Sequence, residues 1–196
     1  MITLGHMRNM HEREMALVVG NSPWRTGFPI HIWNGPLIVC NHAFLELPRR
    51  GYVCVSDVET MEQVFQEPEA DQHTFITPRN LAKANLRALI DGRNLKHVAV
   101  EDAWKTEPTS GAMALGLAGW LGCSSLLAIG FSCDTTHVKA KGGKVAPGAN
   151  ARGIEAVQQG MDEFRRLSPG GYAAISVDPD WFIQAIEENQ AQWLKQ

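Results

Sequence analysis

Apolar runs of strand length alternate with helix-length amphipathic segments along almost all of this 196-residue chain, and few folds accept that rhythm. The runs at residues 15–20 (MALVVG), 37–41 (LIVCN), 52–57 (YVCVSD), 97–101 (HVAVE), 125–131 (SLLAIGF) and 172–177 (YAAISV) are nearly continuous, with a shorter one at 73–76. A strand with water on one face alternates polar and apolar residues; a continuous run is covered on both faces. Helical segments fall at 78–90, 110–121, 152–167 and 181–194; in the third, Ile154, Val157, Met161 and Phe164 recur three to four apart. Strands alternating with helices mean βαβ units. The expected fold is therefore α/β: a doubly wound, mostly parallel sheet of about seven strands, Rossmann-like.

The length suits one domain spanning residues 1–196, with 1–14 as a polar N-terminal extension. A formal net charge of -3 supplies no global basic field for nucleic acid, although a local patch stays open. Cys40, Cys54, Cys123 and Cys133 form no CxxC pair. Reduced, buried thiols are the expectation, and with them a cytoplasmic protein. Residues 1–14 lack the apolar core of a signal peptide, and no stretch approaches the ~18 apolar residues of a membrane span. No feature selects an oligomeric state.

One segment breaks the rhythm. Residues 132–151 (SCDTTHVKAKGGKVAPGANA) show no regular pattern, and structureless stretches of that length inside compact domains are usually functional lids or disordered. With Lys139, Lys141, Lys144 and the following Arg152, it is the most basic part of the chain.

Ligands of open α/β sheets bind outside the carboxyl ends of the strands. The polar residues there are Gly20-Asn21-Ser22-Pro23, Asn41-His42, Ser56-Asp57, Glu101-Asp102 and those from Ser132 to Asp134. Turn chemistry explains any one of them; the whole set points to a nucleotide site. Neither GxGxxG nor GxxxxGK[ST] is present, which removes the dehydrogenase and P-loop readings. Thr109 or Ser110 is a good N-cap for the helix that follows, and Gly111 lets a ligand approach its first turn, where free amides hold phosphate. An ordinary capped helix has the same signature.

ALVVGNSP, IVCN, CVSD and PTSGAMALGLAGWLGCSSLLAIGFSCD, in that order, resemble bacterial sialyltransferases that use CMP-sialic acid. They are also similar to the related family that includes a pterin pyrophosphokinase. The resemblance covers most of residues 15–180. It implies that Gly20, Asn21, Ser22 and Pro23 meet the nucleotide phosphates and ribose, and that Asn41 meets the nucleotide or donor sugar. Thr109, Ser110 and Gly111 would hold the phosphate or donor carboxylate, Gly130 and Asp134 would lie near the nucleoside, and the 132–151 loop would close as a lid.

The departures shape the chemistry. Such sialyltransferases place tyrosines in the lid and a histidine after it, whereas this chain has only Tyr52 and Tyr172, and no histidine beyond His137. Lys139, Lys141, Lys144 or Arg152 must then neutralise the leaving phosphate, and His137 is the surviving base; an exposed loop histidine without a role is the equal alternative. The expected activity is glycosyl transfer from a nucleotide-activated donor, of CMP-sugar type, to a hydroxyl on a small molecule or glycan, with a nucleic-acid acceptor still open. Mg²⁺-dependent diphosphate transfer, with Asp57 and Asp134 on the metal, is one alternative. Asp57 as a helix N-cap with Glu59 in the first turn explains those carboxylates without metal. A protein that sequesters a nucleotide without turnover is another.

Overall fold

The computed structural model describes residues 4–22, 25–78, 96–100, 109–131, 136–138, 145–147 and 150–176. Among these the strands are β1 (Met15–Val19), β2 (Leu37–Cys40), β3 (Tyr52–Cys54), β4 (Thr74–Pro78), β5 (Lys96–Val100), β6 (Ser125–Ile129), β7 (Thr136–Val138), β8 (Val145–Pro147) and β9 (Tyr172–Ser176). The helices are α1 (Val58–Gln66), α2 (Ser110–Trp120) and α3 (Asn150–Leu167). The main sheet runs β5-β4-β3-β2-β1-β6-β9, and every pairing in it is parallel. The parallel α/β architecture expected from the apolar runs is the one found. The chain steps outward from β1 to β5, then returns to lay β6 on the other side of β1. The order reverses there, the position at which open α/β sheets generally bind their ligands.

The continuous apolar runs have a direct cause. Ala16, Val18, Ile38, Cys40, Leu126 and Ala128 face one side of the sheet, where α2 lies with Met161 and Phe164 of α3. Leu17, Val19, Leu37, Val39, Leu127 and Ile129 face the other, against Phe44 and against Met61, Val64 and Phe65 of α1. With helices on both faces, neither parity can be polar.

Nearly all of α2 is buried, because the sheet covers one side and α3 the other. A Cβ on Gly119 would come within 3.1 Å of the Phe164 carbonyl oxygen, and one on Gly160 within 2.9 Å of Ala112 Cα. The small residues at this contact therefore let α2 and α3 pack closely.

The N-terminal residues are packed rather than trailing. Leu4 and Met7 are buried, and the amides of Asn9, His11 and Arg13 donate to the carbonyls of Trp120, Leu121 and Gly122. These carbonyls, at and just past the end of α2, would otherwise have no helical partner.

Several elements differ from the sequence reading. The apolar period marks no helix between 57 and 73, but the N-cap reading of Asp57 with Glu59 in the first turn implies one, and α1 occupies Val58–Gln66 with that cap. Pro78 belongs to β4, and the rest of the expected helix at 78–90 lies outside the described residues, as does that at 181–194. The 132–151 segment is not wholly irregular, since β7 and β8 pair antiparallel within it. Its remaining residues up to 149, with Cys133, Asp134, Lys139, Lys141 and Lys144, lie outside the described residues. No helix among the described residues is long and apolar enough to cross a membrane.

Candidate functional site

Where the strand order reverses, the turns after β1 and β6 are joined by their own backbones. The Gly20 amide donates to the Ile129 carbonyl at 2.8 Å, and the Ser22 amide to the Gly130 carbonyl at 2.9 Å. Gly130 has φ 68, and a Cβ on Gly20 would sit 2.3 Å from its carbonyl oxygen. Phe131 then leaves the β6 turn with its ring wedged between β1 and α2. A Cβ on Gly20 would lie 2.9 Å from one ring atom, and a Cβ on Gly111 3.2 Å from another. The Gly20 turn and the α2 start thus meet at one aromatic ring. The room that both glycines leave is taken by Phe131 and Gly130.

Beside this ring a polar cluster ties three elements together. Asn41, which follows β2, has φ 51, a left-handed conformation that Asn tolerates better than most side chains. Its Oδ1 accepts from Ser110 Oγ at 2.9 Å. Having given its proton there, Ser110 Oγ accepts from the Ser56 amide at 3.0 Å and lies 2.9 Å from Ser56 Oγ, which must be the donor. Ser110 is buried, so the start of α2 is fixed to the ends of β2 and β3. Thr109 is the N-cap: its Oγ1 accepts from the Ala112 amide at 3.3 Å. The first amides of α2 lie ahead of that capped position, where the helix dipole favours an anion.

Two residues complete the rim. Arg25 is buried; it donates from Nε and Nη2 to Glu46 at 2.9 and 2.6 Å, and from Nη1 to the Ser22 carbonyl at 3.1 Å. It thereby holds the turn after β1 against the 3-10 segment Asn41–Glu46. His42, next to Asn41, is buried, and its Nδ1 has no hydrogen-bond partner among the described residues. Burial lowers its pKa, against the opposing pull of Glu67 and Asp57. Burial also pushes the thiol of Cys40, at the end of β2, up to about 12, leaving it unreactive.

Of the residues singled out from sequence, Gly20, Asn21, Ser22, Asn41, Thr109, Ser110, Gly111 and Gly130 all lie on the carboxyl side of the sheet, around Phe131 and Ser110. Pro23 and Asp134 lie outside the described residues. His137 is on β7 and Arg152 in the first turns of α3, and for both only the backbone is described. Asp57 serves as the cap of α1, its Oδ1 accepting from the Thr60 amide at 2.8 Å. No cluster of three metal-ligating side chains occurs among the described residues. Arg25 and Phe131 escape a sequence reading: nothing local distinguishes an arginine whose carboxylate lies 21 positions away.

Comparison with known proteins found nothing similar. No family model, no curated protein and no solved structure matches the chain.

Proposed function

We propose that this rim binds the phosphate of a nucleotide, and that the chain is a glycosyltransferase-like enzyme using a nucleotide-activated sugar. The observation that carries the reading is the Ser110 hydroxyl, which fixes the amide-bearing start of α2 to Asn41 and Ser56 beside the strand-order reversal. Preset amides at a helix start hold phosphate without reorganising when it arrives. The CMP-sugar type of donor rests on the resemblance of the turn, strand-end and helix-start sequences.

In the proposed reaction an acceptor hydroxyl attacks the anomeric carbon and gives its proton to a base, for which His137 is the candidate. The bond from that carbon to the phosphate oxygen breaks, and the nucleotide leaves with the electron pair. Lys139, Lys144 and Arg152 would neutralise the charge that builds there, and closure of the 132–151 segment would exclude water. The capping bond of Asp57 accounts for that carboxylate without a metal.

Calorimetric titration with CMP and CDP tests the site. Wild type should bind, and Ser110→Ala, which unties the start of α2 from Asn41 and Ser56, should bind at least tenfold more weakly, about the effect of losing two hydrogen bonds that position the amides. Equal affinity in a folded Ser110→Ala variant removes this site from the reading. Chromatography of a CMP-sugar incubated with protein and acceptor then separates transfer from binding alone.

A further inference from the structure

The amino ends of the strands carry a cleft that the proposed activity does not use. Leu37, Tyr52, Thr74 and Lys96, the first residues of β2, β3, β4 and β5, line a cavity of about 370 Å³. Asn41 and Ser56 of the Ser110 rim follow the last residues of β2 and β3, so this cleft and that rim stand at opposite ends of the same strands, about 10–13 Å apart along them. Its size and largely apolar walls suit a small ligand. Met7 and Met10 come from the N-terminal segment and also line it; Met10 is 58% exposed.

The polar groups of the cleft are unbalanced toward positive charge. Arg49, Arg50 and Lys96 all line it, and among the described residues none of them pairs with a carboxylate. Both arginines are oriented by neutral acceptors: Arg49 donates to the Trp33 and Gly35 carbonyls, and Arg50 Nε donates to the Gln72 carbonyl at 3.0 Å. A carbonyl aims a guanidinium without cancelling its charge.

Beside them stands a three-membered relay. His11 Nδ1 is 2.9 Å from Glu14 Oε1, and His11 Nε2 is 2.8 Å from the Tyr52 hydroxyl. A carboxylate only accepts, so Nδ1 carries a proton; with Nδ1 protonated, the neutral ring accepts a hydrogen bond from the Tyr52 hydroxyl at Nε2. The phenol oxygen keeps its lone pairs for another donor, and burial holds Tyr52 in its protonated form by raising its pKa.

We infer that this amino-end cleft is a binding site for a small organic anion, its apolar body against Met7, Met10, Leu37 and the Tyr52 ring and its charged group toward Arg50 and Lys96. The site does not depend on the nucleotide reading. Its test is an NMR titration of the whole chain with phenyl phosphate, with inorganic phosphate and benzyl alcohol run in parallel. Phenyl phosphate should move the signals of Met10, Tyr52 and Lys96, and should bind more tightly than either partial probe. Arg50→Gln with Lys96→Gln should weaken it at least tenfold, whereas Ser110→Ala should leave it unchanged. Met10→Glu, an exposed change that puts a like charge at the cleft, should weaken it as well, which guards against misfolding of the double variant. Shifts confined to the Ser110 rim, no binding at millimolar probe, or wild-type affinity in a folded double variant would each overturn the assignment.

Discussion

A methyl group added to Gly20 would lie 2.3 Å from the Gly130 carbonyl oxygen, and neither atom belongs to a side chain that can swing away. Gly20→Ala should therefore cost roughly 3 kcal/mol, the upper range for overpacking against a fixed backbone. Urea unfolding measures it; a loss below about 1 kcal/mol would mean that the two turns separate easily. Histidines set the pH response at this scale. Burial lowers the pKa of both His42 and His73, and His73 Nδ1 accepts from the Gly51 amide at 3.2 Å, which requires an unprotonated nitrogen. The unfolded chain takes up protons as pH falls through the ordinary value of 6.5, before the folded chain does. Their contribution is thus fully present above that value and lost as pH falls toward the folded pKa values. The urea midpoint should drop between about pH 8 and pH 5.5, and drop less in a His42→Gln, His73→Gln variant; parallel profiles would assign the acid sensitivity elsewhere.

Helix starts are where the elements of this chain take their decisive contacts. Asp57 caps α1 from an exposed position, so Asp57→Ala should cost about 1 kcal/mol and Asp57→Asn only a few tenths. Thermal unfolding of the pair distinguishes a cap from a charge-dependent role, in which Asn would fail as badly as Ala. At the other end of α2, the N-terminal segment supplies amides to the last carbonyls, and Trp120 Nε1 donates to the Leu4 carbonyl at 2.8 Å. Element type was legible wherever the period was strong: β1, β2, β6 and the body of α3 follow their apolar patterns. Element ends were less so. The run at 125–131 stops as a strand at Ile129 because Gly130 turns to meet Ser22, and the run at 52–57 stops at Cys54 just before Ser56 turns to Ser110. A sequence window registers the apolar run but not the distant partner that ends it.

In the molecule as a whole the thiols report on how the core opens. Cys40, Cys54 and Cys123 are free and buried, and burial raises all three above the ordinary thiol range. In a Cys133→Ser background, a maleimide should label them only as fast as the core opens, with rates that follow stability as urea is added. Labelling within seconds in native buffer would show that α2 lifts from the sheet on its own. The site belongs to this scale too. Asn41, Thr109, Ser110 and Gly111 were legible as strand-end and helix-start residues, because turn and capping chemistry leaves a local mark. Arg25, Phe131 and the Glu14–His11–Tyr52 relay were not, since each depends on partners brought together from separate parts of the chain.

The order of residues by itself determined that the sheet would be parallel and covered on both faces, since solvent on either side would have demanded polar residues at every second position. It also determined that polar groups would gather at the strand ends, where the backbone must turn. Only the tertiary structure decided that β6 returns beside β1, and with it that Gly20 meets Gly130, that Phe131 lies between Gly20 and Gly111, and that Ser110 becomes the shared partner of Asn41 and Ser56. Periodicity records which face of an element is apolar. Which elements become neighbours is settled by packing across the whole sheet, and no local window contains that information.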